Sequence, residues 1–113
     1  MRHQEQAQSN PSFVSTVDVD LDGLRGGLPT EIGLLSDLQF FDLGSNTLIG
    51  TVPTQLGTLS SLEDLFLFNN RLTGQIPSEL GQIATLRRLF IQSNAFTGTI
   101  PSQINQTQVD VTV

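Results

Sequence analysis

The sequence predicts an α/β solenoid, on three observations. Prolines fall at positions 29, 53, 77 and 101, a constant step of 24 residues. Glycines 26, 50, 74 and 98 and asparagines 46, 70 and 94 keep the same step. Seven columns of apolar residues run through the four turns that this step defines, 14–37, 38–61, 62–85 and 86–109. A fixed period in the twenties marks units that must stack, because one unit alone cannot bury its apolar side.

The strand comes first in each turn. Leu62, Leu65 and Leu67 carry outward residues between them, and period two over 65–67 reads as a short strand. Its equivalents are Val14, Val17 and Val19, then Leu38, Phe41 and Leu43, then Leu86, Leu89 and Ile91. Each strand can pair only with its counterparts in adjacent turns, which gives a parallel sheet with a spacing of about 4.8 Å.

A polar column follows the strand: Asp22, Asn46, Asn70 and Asn94. A chain turning inward there leaves backbone donors and acceptors that are costly to bury unpaired. The asparagine amide offers both kinds of group and can bridge to a neighbouring turn, so the four residues are expected to form a structural ladder. Ionised Asp22 only accepts, which an end turn tolerates.

Gly26, Gly50, Gly74 and Gly98 suit a bend with positive φ or a close backbone approach. Each proline then fixes φ and holds the preceding residue extended. The stretch after it, such as Ser78-Glu79-Leu80-Gly81, suits a short 3₁₀ turn on the back, closed by the glycine. Four apolar columns fill this part of the turn, and Thr107 is their one polar member. The tail 109–113 alternates like a strand and is expected to close the last turn. Val113 then falls level with Leu89, and Asp110 stands where Leu86 predicts a leucine.

Composition limits what such a solenoid can do. The chain has 113 residues, enough for one domain, read as 13–113 behind a polar leader over 1–12 that is expected to be flexible. Charged residues are 14% and hydrophobic residues 37%, the opposite of a disordered balance. Eleven acids face five arginines and no lysine, for a net charge of −6. That argues against nucleic acid and anionic membranes, since phosphate binding needs clustered cations. There is no cysteine, and the only histidine, His3, sits in the leader. Disulfides, thiolate metal sites and a Ser/His/Asp triad are therefore not expected. No apolar run reaches the roughly 20 residues of a membrane span, and the leader lacks the apolar stretch of a signal peptide.

The run Leu62-x-x-Leu65-x-Leu67-x-x-Asn70-x-Leu72-x-Gly74-x-Ile76-Pro77-x-x-Leu80-Gly81 closely resembles the plant-type leucine-rich repeat of 24 residues, and the resemblance covers about 14–105. Such repeats are common in receptor-like kinase ectodomains, receptor-like proteins and polygalacturonase-inhibiting proteins. The resemblance implies a right-handed superhelix with a concave parallel sheet and short 3₁₀ segments on the convex side. It also implies work by binding, in a receptor or inhibitor, at the cell surface or secreted; a cytoplasmic setting is the alternative. Two departures stand out: no paired cysteines for a cap, and Asn105 where the repeat has glycine. Ends without strong caps would stay partly open, able to stack on another surface.

Strand residues between the leucines point out of the sheet. Turn by turn these are Thr16, Phe40, Asp64 and Arg88; Asp18, Asp42, Phe66 and Phe90; and Asp20, Gly44, Phe68 and Gln92. Four phenylalanines on a face where solubility favours polar groups mark an interaction site. The candidate partner-binding set is Asp18, Asp20, Phe40, Asp42, Asp64, Phe66, Phe68, Arg88 and Phe90. The expected partner is a protein, a peptide or a glycan, with the acids favouring cationic groups. Against this stands a plainer reading, in which stacked Phe66 and Phe90 are a cross-strand ladder that supports the sheet.

Other chemistries find less support. Asp18, Asp20, Asp22 and Asp42 resemble a calcium set, but no glycine-bent loop or bidentate glutamate follows, so no metal or other cofactor is expected. Paired carboxylates on a shallow open sheet give nothing to perturb them for glycoside hydrolysis, and no enzyme is expected. A structural spacer within a longer array is the alternative function. An ice-binding solenoid is a weaker one, since the column Arg25, Ile49, Thr73 and Thr97 is irregular. Arg87 and Arg88 read as ion-pair partners of Glu63 and Asp64 one turn earlier. Asn105-Gln106-Thr107 is a glycosylation sequon that matters only in a secreted chain.

Overall fold

The leucine alternation in each turn forms a three-residue strand, and these strands pair in parallel. In a computed structural model that describes residues 16–18, 26–105 and 109–113, one sheet holds β1 (Thr16–Asp18), β2 (Phe40–Asp42), β4 (Asp64–Phe66), β6 (Arg88–Phe90) and β8 (Asp110–Thr112), in that order. Val17, Phe41, Leu65, Leu89 and Val111 lie side by side across it. The leader, Val14, Val19, Asp20, Asp22, Leu24 and Thr107 lie outside the described residues.

Where the sequence suggests only a bend, there is a second parallel sheet. It consists of β3 (Ile49–Gly50), β5 (Arg71–Gly74) and β7 (Ala95–Phe96). Strands of two to four residues are too short to show alternation, so the sequence carries only their glycines. Gly50, Gly74 and Gly98 do take positive φ, at 85°, 81° and 77°.

The back of each turn follows from its proline. Pro29, Pro53 and Pro77 are extended and lead into 3₁₀ segments at Thr30–Leu34, Thr54–Thr58 and Ser78–Gln82. The expectation that glycine closes these segments is corrected, because Gly33, Gly57 and Gly81 lie inside them. Their task is close stacking of turn upon turn. A Cβ on Gly57 would stand 2.6 Å from the Glu79 carbonyl oxygen, and one on Gly81 would stand 2.7 Å from Gln103 Cβ. In the last turn, where Asn105 replaces the glycine, a short helix α1 (Ser102–Asn105) takes the place of the 3₁₀ segment.

Between sheets and back lies a leucine interior. Leu38, Leu48, Leu62, Leu65, Leu72 and Leu89 are all fully excluded from solvent, each contributing about 2 kcal/mol of burial. Among the described residues, no helix is long and apolar enough to cross a membrane.

The tail forms a strand in a register other than the expected one. Phe41, Leu65 and Leu89 follow one another at 24 residues (65 − 41 and 89 − 65), but Val111 follows Leu89 at 22 (111 − 89). Val111, not Val113, is level with Leu89, and Asp110 stands beside Arg88 rather than in the Leu86 column. The shift is by two residues, so alternation is kept and Val111 still packs against the core.

Candidate functional site

Period two sends every second strand residue to the face opposite the leucines, and parallel pairing lines these residues up. Phe40, Asp64, Arg88 and Asp110 form one row; Asp42, Phe66, Phe90 and Thr112 form the next. Phe68 lies one step further along, and a Cβ at Gly44 would overlap its ring, so glycine there gives the ring its seat.

Phe66 is the centre of the cluster. Its ring stacks on Phe90 at 4.6 Å between centroids and 8° between planes. Phe40 meets it edge-on at 5.3 Å and 87°, and Phe68 tilts against it at 6.2 Å. Both geometries suit the quadrupoles of aromatic rings. The Arg88 guanidinium carbon lies 5.3 Å from the Phe66 centroid, a cation–π contact. Covered in this way, Phe66 keeps only 9% exposure. The expectation of four phenylalanines standing on the surface is thus corrected for Phe66. Phe40, Phe68 and Phe90 remain half-buried.

One ion pair matches part of the charge on this face. Arg88 donates from Nε and Nη2 to both oxygens of Asp64, at 2.8 and 3.0 Å. Of the two ion pairs expected one turn apart, this one forms, whereas Arg87 meets Glu63 through its backbone N–H, which donates to the Glu63 carbonyl at 2.7 Å. The hydrogen bonds and charge of Asp64, with a further contribution from Asp110, raise the Arg88 pKa above its already high ordinary value. Asp42 turns one oxygen back to accept the Gly44 N–H at 2.9 Å. The free acidity of the face is therefore less than its acid count suggests. Asp18 belongs to β1, where its backbone is level with Asp42; its side chain, like all of Asp20, lies outside the described residues. Among the described residues, no group of acids and histidines could hold a metal.

Asp110 belongs to this face and was missed by the fixed 24-residue step. The valine alternation 109–113 was the available signal, since it allows a two-residue slide that keeps valines inward.

Beside the face, asparagines bridge the turns. Asn70 Oδ1 accepts the Leu48 N–H at 3.0 Å, while its Nδ2 donates to the Leu43 and Leu67 carbonyls at 3.0 and 3.1 Å. Asn94 repeats the pattern one turn on, accepting from Leu72 N–H at 2.9 Å and donating to the Leu67 carbonyl at 2.8 Å. Asn46 Nδ2 donates to the Leu43 carbonyl at 3.0 Å. Asp22 lies outside the described residues. The residues before these asparagines, Ser45, Asn69 and Ser93, all turn with left-handed φ near 60°, at 61°, 58° and 61°. That holds the rim of the face in one shape, with Asn69 Nδ2 donating to Ser45 Oγ at 3.2 Å.

Comparison with known proteins agrees with this architecture. The family model described as Leucine Rich Repeat matches residues 61–83 and 85–106. The solved complex PEPR1–AtPEP1 superposes with a TM-score of 0.87 and 36% identity, over 95% of this chain and 15% of that one. RGFR1, a plant peptide hormone receptor solved with RGF2, gives 0.83 and 27% over 88% of this chain and 16% of its own. The Arabidopsis receptor kinase HAESA, solved with the peptide hormone IDA and the co-receptor SERK1, gives 0.79 and 35% over 85% and 17%. This chain spans less than a fifth of each. No curated protein matches it.

Proposed function

Because this chain is a leucine-rich repeat solenoid of the plant type, we propose that it is a non-catalytic binding module that recognises a peptide or protein on the outer face of its five-stranded sheet. The observation that carries the reading is the half-buried ring of Phe40, Phe68 and Phe90 around Phe66, edged by the Arg88–Asp64 pair. Aromatic anchors beside arginine are what interface centres favour. Support also comes from RGFR1 and HAESA, similar ectodomains described as a peptide hormone receptor and as bound to a peptide hormone. By the same likeness the module works at the cell surface or outside the cell, as part of a receptor or inhibitor.

Asp64 is held by Arg88, so a cationic group on the partner would meet the free oxygen of Asp42 and the exposed Asp110. A spacer in a longer array is the second reading. The deep burial of Phe66 within its own cluster favours it, because a self-satisfied ladder needs no partner.

Selection of random linear peptides on the folded chain separates the two. Binding peptides should lose about tenfold or more in affinity for a Phe40→Ala/Phe90→Ala variant, whose circular dichroism stays native. Selection that enriches nothing, or peptides that bind the variant equally well, would favour the spacer.

A further inference from the structure

The acids of the aromatic face differ in their partners. Asp64 holds Arg88 with both oxygens, at 2.8 and 3.0 Å. Asp110 stands level with Arg88 on the next strand, and its charge adds to that of Asp64 in raising the Arg88 pKa. Among the described residues, Asp42 has no such cation. Register explains why. On one side β2 meets β1, with Thr16 and Asp18; on the other it meets β4, with Asp64 and Phe66. Neither strand offers a cation. Of the other described arginines, Arg71 belongs to the second sheet, and Arg87 precedes β6.

What borders Asp42 is aromatic. Phe40 and Gly44 stand two residues before and after it, and the far end of the Phe68 ring lies over Gly44. Phe66 is level with Asp42 across the strand pair. Phe40 and Phe68 both pack on Phe66, at 5.3 and 6.2 Å between centroids. The half-buried carboxylate is thus framed by three rings. Its Oδ1 accepts the Gly44 N–H at 2.9 Å, which uses one of about four acceptor positions. A carboxylate in such a frame gains more from a counter-charge than one in open water.

The chain itself displays the chemistry that fits. Arg88 holds a carboxylate with two hydrogen bonds while its guanidinium carbon lies 5.3 Å from the Phe66 centroid. A guanidinium is planar, forked and weakly hydrated, so it can lie on a ring and pair with a carboxylate at once. An ammonium is compact and strongly hydrated, and loses more on leaving water.

We propose that Asp42, framed by Phe40, Phe66 and Phe68, is the anchor site for an arginine side chain of the partner. The inference rests on the reading of this face as a surface for a peptide or protein. The guanidinium donates to the free Asp42 oxygen and lies against the rings, as Arg88 does on Asp64 and Phe66. Asp110 is exposed and already serves Arg88, which leaves Asp42 as the acid in want of a cation.

The test is selection of random linear peptides on the folded chain and, in parallel, on Asp42→Asn. Asparagine keeps an oxygen for the Gly44 N–H, so the variant should retain the parent's circular dichroism and melting temperature. Arginine is expected at one fixed position of the peptides enriched on the parent, and not of those enriched on Asp42→Asn. In a synthetic copy of a parent-selected peptide, citrulline keeps the shape of that arginine without its charge. It should weaken binding about tenfold or more, the loss of a charge-assisted hydrogen bond, and lysine should weaken binding too. The citrulline peptide should bind parent and Asp42→Asn alike, the signature of a direct pair. The arginine peptide should also shift the Gly44 amide in nuclear magnetic resonance spectra. Peptides that bind without arginine, or that lose nothing with citrulline or on Asp42→Asn, overturn the proposal. Where those peptides still need Phe40 and Phe90, the face stands as a binding surface without this anchor. A selection that enriches nothing overturns both.

Discussion

On β4, Leu65 points into the leucine interior and is fully excluded from solvent, while Phe66 points to the opposite face and keeps 9% exposure. Burial is nearly equal, but its origin differs. Leu65 lies in the buried core between Phe41 and Leu89 of the adjacent turns, each itself buried. Phe66 is enclosed by Phe40, Phe68, Phe90 and Arg88, all partly or half exposed. An apolar group inside a stack is protected by the whole fold, whereas one on the face is protected by a few side chains that can move aside. The interior therefore serves stability, and the outer cluster can be re-covered by a partner.

The largest effect expected comes from the interior. Leu65→Ala should cost about 3–4 kcal/mol in urea unfolding, because the cavity has rigid walls. A loss no greater than that of Phe66→Ala would erase the contrast between the faces. Asn70→Ala comes next. It leaves the buried Leu48 N–H without its acceptor, while the Leu43 and Leu67 carbonyls keep the Asn46 and Asn94 amides, for about 2–3 kcal/mol. Hydrogen exchange at Leu48 should rise with it.

Phe66→Ala should cost about 2 kcal/mol, since the outer rings can close over the gap and water can reach it. Its signature is a larger loss in peptide binding than in stability. Smallest is Arg88→Ala. This side chain is half exposed, and exposed ion pairs add little once salt screens them. Its urea midpoint should fall slightly short of the parent, by more at low salt than at high salt, where only the lost cover over Phe66 remains. Arg88 stays charged, its already high pKa raised further by the hydrogen bonds and charge of Asp64, so the effect of Arg88→Ala should not change between neutral and mildly basic pH.

Much of the architecture was legible because the repeat is nearly exact. The step of 24 by itself places Phe40 beside Asp64 and Phe66 beside Phe90. It also set Arg88 one turn from Asp64, close enough to pair. The second sheet was not legible, because Ile49–Gly50 and Ala95–Phe96 are each two residues long and show no period. The burial of Phe66 depends on the rotamers of three other rings, which no spacing encodes. The work of Gly57 was hidden for a related reason: its neighbour is the Glu79 carbonyl of the next turn, a contact made only by stacking.

The register of β8 has a wider consequence. In the last turn the chain is shorter by two residues than its predecessors, and valine still faces inward. The interior thus senses only whether a change in turn length is odd or even. The exterior senses its size, since the same slide brought Asp110, rather than Thr112, level with Arg88. Turn length is then a means of rewriting which charges are neighbours on the surface while the hydrophobic packing stays unaware of the edit.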